Sequence, residues 1–187
     1  MIVTILVNLL LIGFLLTEFI FRKKGESGSL AASESDKGST RLVGLSFGFS
    51  ILLLIVLSIL RFGFFSLPYV DYLGLVVMAL GLSLRFWSMS VLGRFYSRTL
   101  RTLTEQRIIT AGPYKLVRHP GYLSSILIWI GTGLAIENWI MTLSCLIIFP
   151  LIYSYRIVAE EEMLVSIFGK EYEEYRKKSW RLLPFLF

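Results

Sequence analysis

The chain alternates long apolar runs with short polar ones, and the apolar runs come at bilayer length. A membrane span needs about 20 apolar residues. Five segments approach that length: about Ile2 to Phe21, Leu42 to Phe62, Tyr69 to Leu92, Tyr122 to Ile136, and Trp139 to Tyr155. Pro68 opens the third, and Glu137-Asn138 leaves the last two a tight turn apart, which predicts a helical hairpin. From Arg156 to Lys178 the pattern turns amphipathic, with Ile157, Met163, Leu164, Ile167 and Phe168 at helical spacing among charges. Gly169 is placed to break or cap that helix, with Glu171 to Lys178 continuing it, and the helix either extends from the fifth span or lies along the surface. The pattern shows no internal repeat and no strand. The predicted fold is an all-α integral membrane protein with five transmembrane helices and a C-terminal amphipathic cytoplasmic helix.

Composition supports the membrane class. The 187 residues are 55% hydrophobic and 17% charged, with a mean hydropathy of +0.70. A soluble domain of that length carries more charge. The first segment lacks a basic leader and a small-residue cleavage site and contains Asn8 and Glu18, so it reads as a retained helix rather than a signal peptide. The lone Cys145 sits in an apolar run, which excludes an internal disulfide and a cysteine metal site and suits packing.

Net charge is +6, but the cations sit beside apolar segments, which points to orientation and headgroup contact rather than nucleic acid. The 22–41 loop, Gly/Ser-rich and expected to be flexible, carries Arg22, Lys23, Lys24, Lys37 and Arg41. The 93–120 loop carries Arg94, Arg98, Arg101, Arg107, Lys115 and Arg118 against the single acid Glu105. The tail carries Lys170, Arg176, Lys177, Lys178 and Arg181. Turns near 62–71 and 137–138 are poor in Lys and Arg. Five spans with the N-terminus outside place all three basic regions in the cytoplasm, at the inner membrane if the source is prokaryotic.

The chemistry-bearing residues gather at those boundaries. Gly112-Pro113-Tyr114-Lys115-Leu116-Val117-Arg118-His119-Pro120-Gly121-Tyr122 contains the only histidine. Gly-Pro marks a turn, and Pro120 suits the first position of a helix whose free N–H groups and dipole favour an anion. Arg118 adds positive charge, and Tyr114 and Tyr122 offer rings for a flat group. An aromatic and basic headgroup anchor is the plainer use of the same residues. Arg156 and Glu160 share a helical face, ordinarily a weak pair. Glu160, Glu161 and Glu162 repel one another, yet together suit an ammonium, a sulfonium or ribose hydroxyls; a solvated face is the simpler alternative. Arg85 inside the third span is either functional or snorkelling to the nearby boundary. Gly131-Thr132-Gly133 has no preceding strand and reads as close helix packing rather than a dinucleotide loop. No Walker motif, metal-ligand pair or nucleophile elbow is present.

Three motifs in order give the pattern a family resemblance. They are Gly-Pro-Tyr-x-x-Val-Arg-His-Pro-x-Tyr, Arg156-x-x-x-Glu160-Glu161-x-x-Leu164, and Phe168-Gly169-x-Glu171-Tyr172-x-x-Tyr175. The chain closely resembles the isoprenylcysteine carboxyl methyltransferase family, related to membrane phospholipid N-methyltransferases. The match spans Leu84-Arg85-Phe86-Trp87 and Leu92-Gly93-Arg94-Phe95-Tyr96-Ser97 through Trp180-Arg181-Leu182-Leu183-Pro184. It divides the chain into N-terminal helices (1–83) and a methyltransferase core (84–187).

The resemblance implies S-adenosylmethionine as cofactor, held at the cytoplasmic boundary. Tyr114, Val117, Arg118, His119, Pro120, Tyr122, Glu160 and Glu161 would bind it, and Arg156 and Glu160 would orient the acceptor. The expected activity is methyl transfer to a lipophilic small molecule or prenylated substrate from the bilayer. Carboxyl O-methylation of an isoprenylcysteine-like compound comes first, and N-methylation of a phospholipid amine second. The family's eukaryotic members have additional N-terminal helices, and the first 80 residues here carry no recognised motif. The rivals are an NADPH-dependent membrane reductase of related fold and a non-enzymatic scaffold or transporter. The Glu-rich helix suits a cationic cofactor better than a phosphate-rich one. A transporter places its polar groups at the midplane, whereas here they cluster at span ends.

Overall fold

The computed structural model describes residues 2–21, 36–93 and 107–184. The 22–35 part of the first basic loop, including Arg22, Lys23 and Lys24, lies outside the described residues. So do Arg94, Phe95, Tyr96, Ser97, Arg98, Arg101 and Glu105. The chain forms α1 (Ile2–Phe21), α2 (Ser39–Leu60), α3 (Val70–Leu92), α4 (Pro120–Ala135), α5 (Trp139–Phe168) and α6 (Lys170–Lys178). Among the described residues, extended pairing is confined to two isolated bridges, Phe64 with Asn138 and Val117 with Trp180.

Four helices, α1, α2, α3 and α5, are long and apolar enough to cross a membrane. The expected fifth span corresponds to α4, which has 16 residues. At 1.5 Å per residue it reaches about 24 Å, short of a hydrocarbon core of roughly 30 Å. Four of the five expected spans are thus helices of spanning length, and the remaining one, α4, is a shorter apolar helix inside the bundle. Of the two courses open to the amphipathic stretch, the chain takes the extension of the last span. The fifth apolar segment does not stop at Tyr155, because α5 continues unbroken for 30 residues to Phe168. The amphipathic stretch from Arg156 is thus the second half of α5. Gly169, at φ +53°, ends that helix, and α6 follows as a separate, strongly polar one.

Burial separates the helices by role. α1 buries only Val7, Phe14 and Thr17, and its Ile2, Ile5, Leu9, Ile12, Leu15 and Phe19 face outward, as lipid-exposed positions do. Ten of the 16 residues of α4 are buried, six of them Ser124, Ser125, Gly131, Thr132, Gly133 and Ala135. α4 is the central helix, and its small residues admit neighbouring backbones closely. A Cβ on Gly131 would lie 2.8 Å from the Gly74 carbonyl oxygen and 2.8 Å from the Met78 nitrogen. A Cβ on Gly81 would lie 3.0 Å from the Ser124 carbonyl oxygen. Gly131-Thr132-Gly133 is accordingly a packing surface: Gly131 meets α3, and Gly133 faces the backbone of Thr142 on α5.

The far end of the bundle is stapled by Asn138. Its side chain caps α5 by accepting from the Met141 N–H at 3.0 Å, and its amide donates to the Phe62 carbonyl at 2.8 Å. Phe65 N–H donates to the Glu137 carbonyl and Trp139 N–H to the Gly63 carbonyl. The turn after α2 and the turn after α4 therefore share one end. The 36–40, 112–122 and 156–182 segments meet at the other.

Arg85 does not snorkel. Its guanidinium pairs with Glu18 of α1 and donates to the Gly121 carbonyl at 2.7 Å and the Ser125 hydroxyl at 3.2 Å. It also lies over the Phe14 ring at 5.6 Å. One side chain thus ties α1 and α3 to the first turn of α4.

The close approach of α3 and α4 makes a direct prediction. Gly131→Ala should destabilise the detergent-purified protein by about 1–3 kcal/mol through overpacking. Gly48→Ala on α2, where an added Cβ meets open space, should be neutral or slightly stabilising. Thermal unfolding of both variants beside the parent measures this.

Candidate functional site

Three stretches build a polar cluster at the near end. The first is the approach to α4. Gly112, at φ +58°, and Pro113 start a single tight 3-10 turn through Lys115. The chain then runs extended beside the C-terminal segment: Trp180 N–H donates to the Leu116 carbonyl at 2.9 Å, Arg118 N–H to Trp180 at 2.7 Å, and His119 N–H to Arg181 at 3.2 Å. His119 is the N-cap of α4 and Pro120 its first residue, where a missing N–H costs nothing. Val117 packs in this pairing. Tyr114 is buried, and its carbonyl accepts from the Tyr175 hydroxyl of α6 at 2.6 Å.

The second stretch is the second half of α5, which projects Arg156, Glu160 and Glu161 toward that turn. Tyr122 donates its hydroxyl proton to Glu160 Oε2 at 2.6 Å and accepts from Arg156 Nε at 2.8 Å. His119 lies between the two acids, with Nδ1 3.6 Å from Glu160 and Nε2 3.3 Å from Glu161. Glu161 also accepts from Arg118 Nε and Arg181 Nη2, each at 2.9 Å, with Arg176 at 3.7 Å. Arg118 further donates to the carbonyls of Arg176 and Ser179.

The three consecutive acids therefore do not form one repulsive patch. Glu160 faces Tyr122 and His119, Glu161 faces the arginines, and Glu162 pairs with Lys37 at 2.6 Å. The Glu161 side chain is 5% exposed, whereas that of Glu160 is 25% exposed and retains access to a ligand.

The third stretch is Asp36 to Thr40, ahead of and opening α2, which the sequence reading missed. Arg156, 4% exposed, donates to Ser39 Oγ and Thr40 Oγ1 at 3.0 Å each and lies 3.4 Å from Asp36 Oδ1. Asp36 accepts from both hydroxyls and from the Thr40 backbone N–H. Burial pushes its carboxyl up, but the hydrogen bonds from Thr40 and Ser39 and the charge of Arg156 prevail and hold it below its ordinary range. The signal was in the sequence: an Asp followed by Ser-Thr just before an apolar run marks a helix start.

Aromatic rings connect the cluster to the core. His119 stacks on Tyr122 (5.6 Å, 11°), Tyr122 on Tyr153 (4.8 Å, 20°), Tyr153 on Phe149 (6.1 Å, 23°) and Phe149 on Trp129 (5.6 Å, 13°). Every predicted site residue lies at this end. Arg118, His119, Tyr122, Arg156, Glu160 and Glu161 join one network. Pro120 sets the helix start, and Tyr114 and Val117 contribute packing and backbone contacts.

The fold and cluster define an all-helical membrane protein with one polar site where its apolar helices meet their loops. Residues 69–171 match the phospholipid methyltransferase family model, and the chain belongs to that family. A rice (Oryza sativa subsp. indica) protein described as a probable protein-S-isoprenylcysteine O-methyltransferase is 38% identical over 121 residues, 63% of this chain and 63% of the relative. The Schizosaccharomyces pombe protein-S-isoprenylcysteine O-methyltransferase is 33% identical over 129 residues, 66% of this chain and 55% of its own length. The chain thus matches less than two thirds of these relatives. Among solved structures, the eukaryotic intramembrane Ras methyltransferase ICMT shares the fold, with a TM-score of 0.66 at 24% identity over 91% of this chain and 61% of that one.

Glu161→Gln should cost about 3–5 kcal/mol, because Arg118, Arg181 and His119 are left around a neutral amide. Glu162→Gln breaks only an exposed pair and should stay within about 0.5 kcal/mol of the parent. Thermal unfolding in one detergent distinguishes the two.

Proposed function

We propose that this chain is an integral membrane S-adenosylmethionine-dependent methyltransferase acting on a lipophilic acceptor from the bilayer. The favoured reaction is carboxyl O-methylation of an isoprenylcysteine-like compound. The observation that carries this reading is the meeting of the Arg-His-Pro turn and the α5 acids in one hydrogen-bonded network at the end of the apolar helices. The names of the curated relatives support the same reaction class.

The donor set suits the cofactor. A cationic ligand needs an accessible acid, and Glu160 keeps a quarter of its side chain exposed amid otherwise buried partners. Tyr114, Val117, Arg118, His119, Pro120 and Tyr122 would line the site, with Glu160 and Glu161 toward the cofactor's polar groups. When bound, S-adenosylmethionine supplies a methyl group already activated on a sulfonium. Arg156 and Glu160 then have a positioning task, since in-line transfer depends on proximity and alignment. Arg156 suits a carboxylate acceptor, which is ionised near neutral pH and needs no general base. Glu161 acts largely through Arg118, His119 and Arg181, whose positions it fixes.

N-methylation of a phospholipid amine is the second reading, favoured by the description of the matched family. An amine must lose a proton, and Glu160 is placed to take it. We assign the site to the cytoplasmic face, with the N-terminus outside, from the basic loops that share its end. The core spans 84–187, but residues 36–40 of the N-terminal part complete its polar network.

The test is calorimetric binding of S-adenosylmethionine and S-adenosylhomocysteine to detergent-purified protein, followed by transfer of a labelled methyl group to an N-acetylated S-isoprenylcysteine. Micromolar binding is expected, weakened at least tenfold in Glu160→Ala and His119→Ala variants that unfold as cooperatively as the parent. A carboxyl ester product releases labelled methanol in base, whereas an N-methylated amine keeps its label. Folded parent protein that binds neither compound, in detergent or in lipid nanodiscs, overturns the assignment.

A further inference from the structure

The Asp36–Thr40 stretch lies outside the family match at 69–171, yet it holds the guanidinium assigned to the acceptor. From this we infer that Asp36, with Ser39 and Thr40, is a positioning element for methyl transfer: it fixes Arg156 and, through Tyr122, the carboxylate of Glu160. The inference rests on the methyltransferase reading of the same site.

The argument is one of hydrogen-bond direction. A guanidinium can only donate and an ionised carboxylate can only accept. A hydroxyl between them has one proton and must give it to the carboxylate. Ser39 Oγ lies 3.0 Å from Asp36 Oδ1 and accepts from Arg156 at 3.0 Å. Thr40 Oγ1 lies 2.7 Å from Asp36 Oδ1 and accepts from Arg156 at 3.0 Å. Asp36 therefore turns both hydroxyl lone pairs toward one guanidinium nitrogen. The same logic runs on through the other nitrogen. Arg156 Nε donates to the Tyr122 oxygen at 2.8 Å, so the Tyr122 proton is committed to Glu160 at 2.6 Å. The order is Asp36, hydroxyls, Arg156, Tyr122, Glu160, with every rotor set by the fixed charges.

Burial makes that order rigid. Asp36 and Ser39 are fully buried and Arg156 nearly so, and partly satisfied groups in such surroundings are costly. The segment is also anchored independently, by Lys37 to Glu162 and by the Tyr155 hydroxyl donating to the Lys37 carbonyl at 2.9 Å. The 36–40 stretch is thus docked on α5 at two neighbouring places, only one of which reaches the site.

The test compares Asp36→Ala, Thr40→Val, Thr40→Ser and Lys37→Ala in the full-length protein. Each is assayed for S-adenosylhomocysteine binding, thermal unfolding, and kcat and KM with the N-acetylated S-isoprenylcysteine. Asp36→Ala and Thr40→Val should bind S-adenosylhomocysteine within about twofold of the parent, yet lose 10-fold or more in kcat/KM for the acceptor. Thr40→Ser, which restores the hydroxyl, should recover most of that loss. Lys37→Ala should keep the parent's kinetics. Asp36 also accepts from the Thr40 N–H in the first turn of α2, and a purely structural role would lower the unfolding temperature of Asp36→Ala and leave the kcat/KM of Thr40→Val unchanged. Kinetics equal to the parent in Thr40→Val, or equal losses in Thr40→Val and Thr40→Ser, overturn the inference. A parent that neither binds nor turns over is instead a failure of the methyltransferase reading.

Discussion

Everything at the polar end hangs from the backbone contact between α3 and α4. Gly74 and Gly81 on one helix meet Gly131, Ala135 and the Ser124 turn on the other, with no room for a Cβ at the glycines. In lipid there is little hydrophobic gain from bringing two apolar helices together, so close van der Waals packing must supply the association. That contact fixes the height and rotation of α4, and α4 begins at His119-Pro120. A helix too short to span on its own thereby gains a defined position, and the Arg-His-Pro turn gains one with it.

The site then solves an electrostatic problem. Three adjacent carboxylates and several arginines stand at the edge of an apolar bundle, where unpaired charge is expensive. α5 distributes its acids around its circumference, so each meets a different set of donors. Glu161 is enclosed by cations from the α4 approach and the C-terminal segment, which closes the two against each other. Glu160 is left with a tyrosine hydroxyl, a nearby imidazole and a quarter of its side chain exposed. Burial and exposure are thus divided between neighbouring acids of one helix.

Much of this was legible in the sequence, and the limits have physical causes. Hydropathy located every apolar helix, and the glycines of α4 announced close packing. Of the five expected spans α4 is the shortest helix, because Pro120 and the turn before Trp139 bound it at 16 residues. Hydropathy ended the last apolar run at Tyr155 and left two courses for the amphipathic stretch, along the surface or on from the span; α5 takes the second, to Phe168. The motif residues were found because their types and spacing are unusual. Asp36, Ser39 and Thr40 were not, because a polar helix start and a set of partners for Arg156 look alike until the chain is folded. The repulsion expected among the three glutamates is relieved by partners that no local pattern reveals: Arg118, Arg181 and Lys37, each 20 or more residues away.

The pairing of Glu18 with Arg85 bears on how the protein is made. α1 leaves the ribosome ahead of α3, carrying a carboxylate near its end before Arg85 has been made. Its partner arrives only with α3, 67 residues later, and neither charge is comfortable in hydrocarbon alone. α1 therefore gains its full preference for the bilayer only after α3 has entered beside it. Membrane insertion of this chain is in that respect a cooperative event among helices, with the N-terminal one completing its placement late.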